Sequence, residues 1–376
     1  MKVTCVQENL AKALATVNRA VATRSSLPVL SNVLIATDRS MLKLSATNME
    51  IATTVMIGCK TESEGAVTVP ARLLTELVSQ LGEDPVDIQL EEETLELTLE
   101  SGRYKATMKG ISADDFPPLP AAEAGTVLTI DPQTLKKMID LTVLATATDD
   151  SRPVLAGVCV TVQPNALVLA AADGYRLAIK TLVADTGVDR QVQIIVPRNS
   201  MHELARILAD TGEEIEMVIT PQRTHAVFNM GNTQLISHLI EGQFPNFEQL
   251  VPSDHQTKLI LNTAEAVKAT RIASIFARGG SNVIRLESAD SENGAGRLVI
   301  SATSTDIGAN TGEIAAEAEG EKAFIAFNAR FLGECLGTID TERVELRLAG
   351  ATSPGLIRPL GDDTYSHVIM PMHTVR

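Results

Sequence analysis

The chain of 376 residues repeats itself three times, and that duplication narrows the folds open to it more than any other feature. PVLSNVLI from Pro28 returns as PVLAGVCV from Pro153, an offset of 125 residues. LSATNMEIA from Leu44 returns at the same offset as LAAADGYRLA from Leu169, and 131 residues later as ISATSTDIG from Ile300. A second landmark, a strand running into a helix, appears as VTVPARLLTELV at Val67, IIVPRNSMHELARIL at Ile194 and AFNARFLGECL at Ala326. Proline-rich connectors, FPPLP at Phe116 and FPNFEQLVP at Phe244, close the first two copies. Three domains are expected: residues 1–124, 125–252 and 253–376.

Each copy shares one order of elements. A helix opens it, as in VQENLAKALATVNRAV, where Leu10, Leu14, Val17 and Val21 recur at helical spacing. Hairpins follow, for example VCVTVQPNALVLAA turning at Pro164-Asn165, then a second helix and alternating strands such as LEEETLELTLESGRYKATM. Two helices against seven or eight short strands make an α+β unit, with helices on one side of an antiparallel sheet. Such units expose sheet edges, which neighbouring repeats satisfy by pairing edge to edge.

Composition excludes several roles. Aromatic residues make up 3% of the chain and Trp is absent, which disfavours stacking platforms for single-stranded nucleic acid. The start, MKVTCVQENLAK, lacks the apolar core of a signal peptide, and no stretch approaches the roughly 20 apolar residues of a membrane span. A cytoplasmic protein without a membrane partner is expected. Cys5, Cys59, Cys159 and Cys335 stand far apart in no metal-ligand spacing, so they read as reduced thiols, and no cofactor or metal is implied.

The formal charge of −15 opposes a polyanionic partner unless the basic residues are gathered on one surface. They recur on the helices. Lys12 and Arg19 stand seven apart on the opening helix, with Arg24 just beyond; Lys136 and Lys137 occupy the matching helix of the second copy. Arg198, His202 and Arg206 share a face of the next helix, and Lys268, Arg271 and Arg278 cluster in ATRIASIFARGG. The hairpins, by contrast, carry acidic runs such as EEETLELTLE. Helices lining one surface would hold duplex DNA by its phosphates without reading bases, and two chains joined head to tail would close six units into a ring with helices inside.

These residues resemble the bacterial replicative sliding clamp, the beta subunit of DNA polymerase III, from Met1 to about His373. The likeness rests on MKVT, RSSLPVLSNVL, TVPARLL, ADDFP, AADGYRLA, IIVPR, EGQFPNF, FNARFL and the closing VIMPM. It implies a head-to-tail homodimeric ring around double-stranded DNA. It also implies an ATP-driven clamp loader, and tethering of the polymerase alpha subunit and other proteins that carry a clamp-binding motif.

Partners of this family insert a short apolar peptide between the second and third domains. The matching positions are Leu155, Gly174, Tyr175, Arg176, Leu177, Pro245 and Leu250, then Asn328, Phe331 and the run Val368, Ile369, Met370, Pro371, Met372. Pro371 by itself suggests an edge strand there. The resemblance puts Lys12, Arg19, Arg24, Lys136, Lys137, Arg198, Arg206, Lys268, Arg271 and Arg278 toward DNA, and Ile275 and Phe276 at the dimer seam. The chain departs from the family pattern at Ala172, Tyr175, Gln249 and His373 beside the groove. Asp149, Pro153 and Val154 near DNA, and Ala106 at the seam, are further departures.

No catalytic constellation competes with this reading. His202-Glu203-Leu-Ala-Arg206 has Arg where a zinc-protease helix needs its second His, and Gly279-Gly-Ser281-Asn-Val283 lacks the closing Gly of a nucleophile elbow. A non-catalytic protein is expected; the alternative to a clamp is a monomeric three-repeat scaffold that binds proteins without encircling DNA.

Overall fold

A computed structural model describes residues 1–120, 125–149, 151–279, 281–290 and 296–373. Six α-helices are present among these: α1 (Gln7–Val17), α2 (Ala71–Gln80), α3 (Pro132–Thr142), α4 (Arg198–Leu208), α5 (Thr263–Ala277) and α6 (Ala329–Thr338). Twenty-four strands accompany them, eight in each repeat, in the order that the duplicated sequence predicts. The repeated α+β architecture is therefore observed.

Local chemistry accounts for these elements. On α1, Leu10, Ala13, Leu14 and Val17 are buried along one stripe while Glu8 and Lys12 face water. The helix stops at Val17: Arg19 lies in a 3-10 turn (Asn18–Ala20) and Val21 is extended, so Lys12 and Arg19 do not share one α-helical face as the spacing predicted. Asn262 and Asn328 cap α5 and α6, their side-chain oxygens accepting from Glu265 N and from Arg330 N respectively. Val86–Glu91 alternates strictly, with Val86, Ile88 and Leu90 inward and Asp87, Gln89 and Glu91 outward. The hairpin Gly157–Gln163 to Ala166–Ala172 turns at Pro164-Asn165, with Gln163 opposite Ala166.

The strands form two twelve-stranded antiparallel sheets. They belong to two compact units, residues 1–135 with 202–239, and residues 136–201 with 240–376. The middle repeat is divided between them. In the first unit Thr233–His238 pairs with Ile51–Ser63 of the first repeat, Ile51 facing Ser237 and Val55 facing Thr233. In the second unit Arg176–Val183 pairs with Tyr365–Ile369 of the third repeat, Arg176 facing Ile369 and Lys180 facing Tyr365. Edge-to-edge pairing of repeats thus builds each sheet.

Tyr365–Ile369 also pairs with Gly355–Pro359 on its other side. The edge position suggested by Pro371 is thereby corrected: Val368 and Ile369 lie in an interior strand, and the proline falls two residues past its end.

Candidate functional site

The second unit brings together the turn Asp173-Gly174-Tyr175, the C-terminal strand and the start of α6. Gly174 adopts φ +91, a left-handed conformation that glycine enters without a Cβ penalty. Asp173 locks the turn: its Oδ1 accepts from Tyr175 N at 2.9 Å and Arg176 N at 3.0 Å. The first repeat builds the same turn, with Asn48 Oδ1 accepting from Glu50 N and Ile51 N and with Met49 at φ +76. Duplication is therefore visible in hydrogen bonds as well as letters.

Arg176 is buried, and its charge is matched on three sides. Nε donates to Asp173 Oδ2 at 3.1 Å, Nη1 donates to Glu334 Oε2 of α6, and the guanidinium lies 4.3 Å from the Phe331 ring centre. Arg330 approaches the same ring at 5.2 Å. This ion pair, buried on the arginine side and half-exposed at Glu334, fixes the hairpin of the second repeat to a helix of the third.

Beneath the turn lies an apolar floor. Leu155, Leu177, Val368, Phe244 and Phe247 belong to one buried cluster with Cys159, Ala170, Ile195 and Leu356. Phe244 and Phe247 meet edge to face, 6.1 Å apart. Above it, Tyr175 O accepts from Met370 N at 2.8 Å, and both side chains are left open, 61% and 44% exposed. Leu250 and Pro245 are exposed on the segment after Phe244, Pro371 and Met372 are half-buried, and Met372 N donates to Ala326 O. An apolar floor with exposed Tyr and Met at its rim suits a short apolar ligand, because Met and Tyr supply adaptable contact area.

The strand Tyr365–Ile369 carries buried polar side chains. Tyr365 and His367 are fully buried, with Tyr365 Oη donating to Leu141 O and lying 3.1 Å from His367 Nδ1. Burial, with Arg176 nearby, pushes the His367 imidazole down to about 3, so it is neutral. Cys335 on α6 is buried and its thiol is pushed up, which makes it unreactive.

The predicted DNA-facing cations divide into two groups. Within the chain Lys12 pairs with Glu8, Lys136 with Asp140, Lys137 with Asp340, and both Arg19 and Arg206 with Glu203. Arg198 also has an interaction partner. No ion pair involving Lys268, Arg271, Arg278 or Arg24 is found among the described residues, and all four are exposed. Of the ten predicted cations, those without an ion pair among the described residues therefore lie on α5, at its C-cap and at Arg24.

Models of the three domains of the DNA polymerase III beta subunit match the chain in order: the N-terminal domain at residues 1–120, the central domain at 129–246 and the C-terminal domain at 248–373. This chain belongs to that family, the bacterial sliding clamps. The beta sliding clamp of Synechococcus elongatus is 34% identical over 375 residues, covering 99% of each chain. The crystal structure of the DNA polymerase sliding clamp from Bacillus subtilis covers all of both chains with a TM-score of 0.94 at 30% identity. A Pseudomonas aeruginosa sliding clamp solved with griselimycin reaches 0.92, also at 30% identity.

Of the positions that the resemblance puts at a dimer seam, Ile275 of α5 is exposed and Phe276 half-buried, while Ala106 is half-buried in the strand Tyr104–Lys109. Asp149 bonds Ser151 and lies 3.8 Å from Arg152, which donates to Asp173 O. The loop that departs from the family pattern thus braces the groove turn. Residues 374–376 lie outside the described residues.

Sequence reasoning did not single out Glu334, Asp173, Arg152, Phe244 or Phe247 as site residues. Glu334 stands four after Arg330 on α6, and the FPNF spacing puts Phe244 and Phe247 three apart; those were the available signals. No signal local to either residue links Arg176 to Glu334, 158 positions apart.

Proposed function

We propose that two copies of this clamp pair head to tail into a closed ring around duplex DNA. On this reading the ring tethers the polymerase alpha subunit and other motif-bearing proteins through short apolar peptides seated between Tyr175 and Met370, and a clamp loader opens it. The protein works in the cytoplasm as three equivalent domains, residues 1–124, 125–252 and 253–376.

The observation that carries the ring is a pair of complementary open edges. Gly308–Gly320 pairs with Thr257–Asn262 only over Ala316–Gly320, so among the described strands the stretch from Gly308 to Ala315 has one neighbour, Gly296–Ser304. Tyr104–Lys109 likewise pairs only with Glu96–Ser101 among the described strands. Their counterparts in the other repeats are the strands that join repeat to repeat. Thr53 faces Leu235 at the first junction and Ala178 faces His367 at the second. Carried by the repeat offsets, Ala309 of one copy faces Ala106 of the next. Tyr104, Ile307, Ile275 and Leu73 are apolar and exposed near these edges and on the helices that would meet there. A small residue at 106 opposite a small residue at 309 removes the difficulty posed by its loss of bulk.

Grip on DNA follows from topology, with phosphate attraction from α5 and Arg24 centring the duplex. The test is retention. A loaded ring stays on nicked circular DNA in high salt and leaves once the circle is cut, whereas binding that disappears with salt whatever the DNA topology rejects encirclement. A sizing column that returns a monomer would favour the protein-binding scaffold.

A further inference from the structure

Cys5 and Cys59, far apart in sequence, stand face to face in the first unit. Lys2–Cys5 pairs antiparallel with Ile51–Ser63, and the register puts Cys5 directly opposite Cys59. Directly opposed residues send their side chains to the same face of a sheet. Cys59 N donates to Ser40 O, in the turn between Asp38 and Met41 on the far side of its strand, so the peptide groups of Cys59 point away from Lys2–Cys5. The two cysteines are therefore a non-hydrogen-bonded pair, the arrangement that brings opposed Cα atoms to about 4.5 Å. That separation lies at the near end of the range a disulfide spans.

Their surroundings differ. Cys5 is buried, which pushes its thiol up to about 12, while Cys59 is half-buried, with its sulfur 3.4 Å from Thr61 Oγ1. A dissolved reagent thus reaches Cys59 first. Neither remaining cysteine is placed this way: Cys159 faces Ala170 and Ile195, and Cys335 is buried on α6.

We propose that Cys5 and Cys59 are a site of reversible oxidation by small-molecule disulfides, which bridges the first strand to the strand that joins the first repeat to the second. The Cys59 thiolate attacks one sulfur of the reagent disulfide RSSR and expels RS−, which takes up the proton that Cys59 released. Cys5 then gives up its proton and attacks the Cys59 sulfur, expelling the second RS− to be protonated in turn. Two protein thiols are oxidised to one disulfide, and RSSR is reduced to two RSH. Cys5 is a reluctant nucleophile, and its fixed place beside Cys59 offsets this. In a reducing cytoplasm the resting form is the dithiol, and the bridge forms as the thiol pool turns oxidising. It closes a loop that holds α1 and the hairpin of Asn32–Asp38 with Met41–Thr47, restricting the unfolded chain and so stabilising the first repeat.

The experiment incubates the folded, reduced full chain with mixtures of oxidised and reduced glutathione, quenches with acid, and maps linkages by mass spectrometry of proteolytic fragments. A fragment joining Cys5 to Cys59 should accumulate as the mixture becomes more oxidising, with the intact mass lower by two hydrogens and with Cys159 and Cys335 still free. Excess reduced glutathione should restore the dithiol, and the oxidised chain should unfold at a higher midpoint than the reduced one. Cys5→Ser should retain a glutathione on Cys59 that nothing displaces, and Cys59→Ser should take up none. Four free thiols throughout the series, a linkage that forms only once urea is added, glutathione persisting on Cys59 of the unaltered chain, an unraised midpoint, or equal glutathione uptake by the two variants would each overturn the proposal. The linkage map uses the unaltered chain, so it decides the matter even where a serine variant fails to fold.

Discussion

The guanidinium of Arg176 lies 4.3 Å from the centre of the Phe331 ring while holding Asp173 and Glu334, so one buried side chain joins the groove turn to α6. Removing it leaves Asp173, itself mostly buried, without its charge partner. Arg176→Ala should destabilise the chain by about 2–4 kcal/mol, and Arg176→Lys should recover little, since an ammonium cannot stack and fork at once. Urea unfolding followed by circular dichroism checks both. A loss below about 1 kcal/mol would mean the bridge is ornamental.

Met370→Asp should abolish binding of a polymerase tail peptide while the dimer and the unfolding midpoint persist, because the side chain is exposed and its backbone bond to Tyr175 O remains. Deleting residues 368–376 is a poorer test, since Val368 and Ile369 are interior strand residues and their loss breaks the sheet. Truncation after Ile369 should separate the effects, with peptide affinity lost and secondary structure kept. Unchanged affinity, measured by fluorescence anisotropy, rejects the groove.

The seam has a sharper test. Backbone bonds from Met56 N to Asn232 O and from Met370 N to Tyr175 O fix the phase at the two intrachain junctions, and by that phase the position equivalent to Ala106 opposite Ala309 is a non-hydrogen-bonded pair. Such pairs bring Cβ atoms within disulfide reach, so Ala106→Cys/Ala309→Cys should cross-link under oxidation into covalent dimers. Ala106→Cys paired with Thr311→Cys, two residues out of register, should cross-link far less. Equal yields would contradict the predicted register.

Gly174→Ala places a Cβ 2.7 Å from Arg152 Nη1 at φ +91. The cost should be roughly 1–2 kcal/mol, and the displaced Arg152 and turn should weaken peptide binding with it. A variant as stable as the parent would show that the turn relaxes freely.

Acid stability follows from His367. Its folded-state value lies near 3 against an ordinary 6.5, so between those limits the unfolded chain binds a proton that the folded chain refuses. Stability is thus unaffected above pH 6.5 and falls as pH drops toward 3, by about 1 kcal/mol per pH unit. His367→Gln should flatten that part of the curve relative to the parent in urea unfolding at several pH values. Parallel curves would place the acid sensitivity elsewhere.

Some of this architecture was legible in the letters. Helical stripes such as Leu10, Leu14 and Val17, the Pro164-Asn165 turn and the constant offsets between copies are local or periodic properties, so they survive without coordinates. The segments proposed for the groove were picked out through duplication and family likeness. Their coherence was not, because Leu155, Phe244, Leu356 and Val368 meet only when distant strands pair.

Charge shows the limit most clearly. Ten basic residues looked equivalent along the chain, yet Lys137 finds Asp340, 203 positions away, while Arg271 and Arg278 find no carboxylate among the described residues. Sequence alone determined the threefold repeat, the element order and the residue types available at each face, because these depend on neighbours a few positions apart. Tertiary structure decided how the middle repeat is shared between two sheets, that Val368 and Ile369 are interior, and which cations meet a carboxylate. Those outcomes depend on contacts between chain segments brought together from far apart, and no local pattern encodes which distant partner a strand edge or a charge will meet.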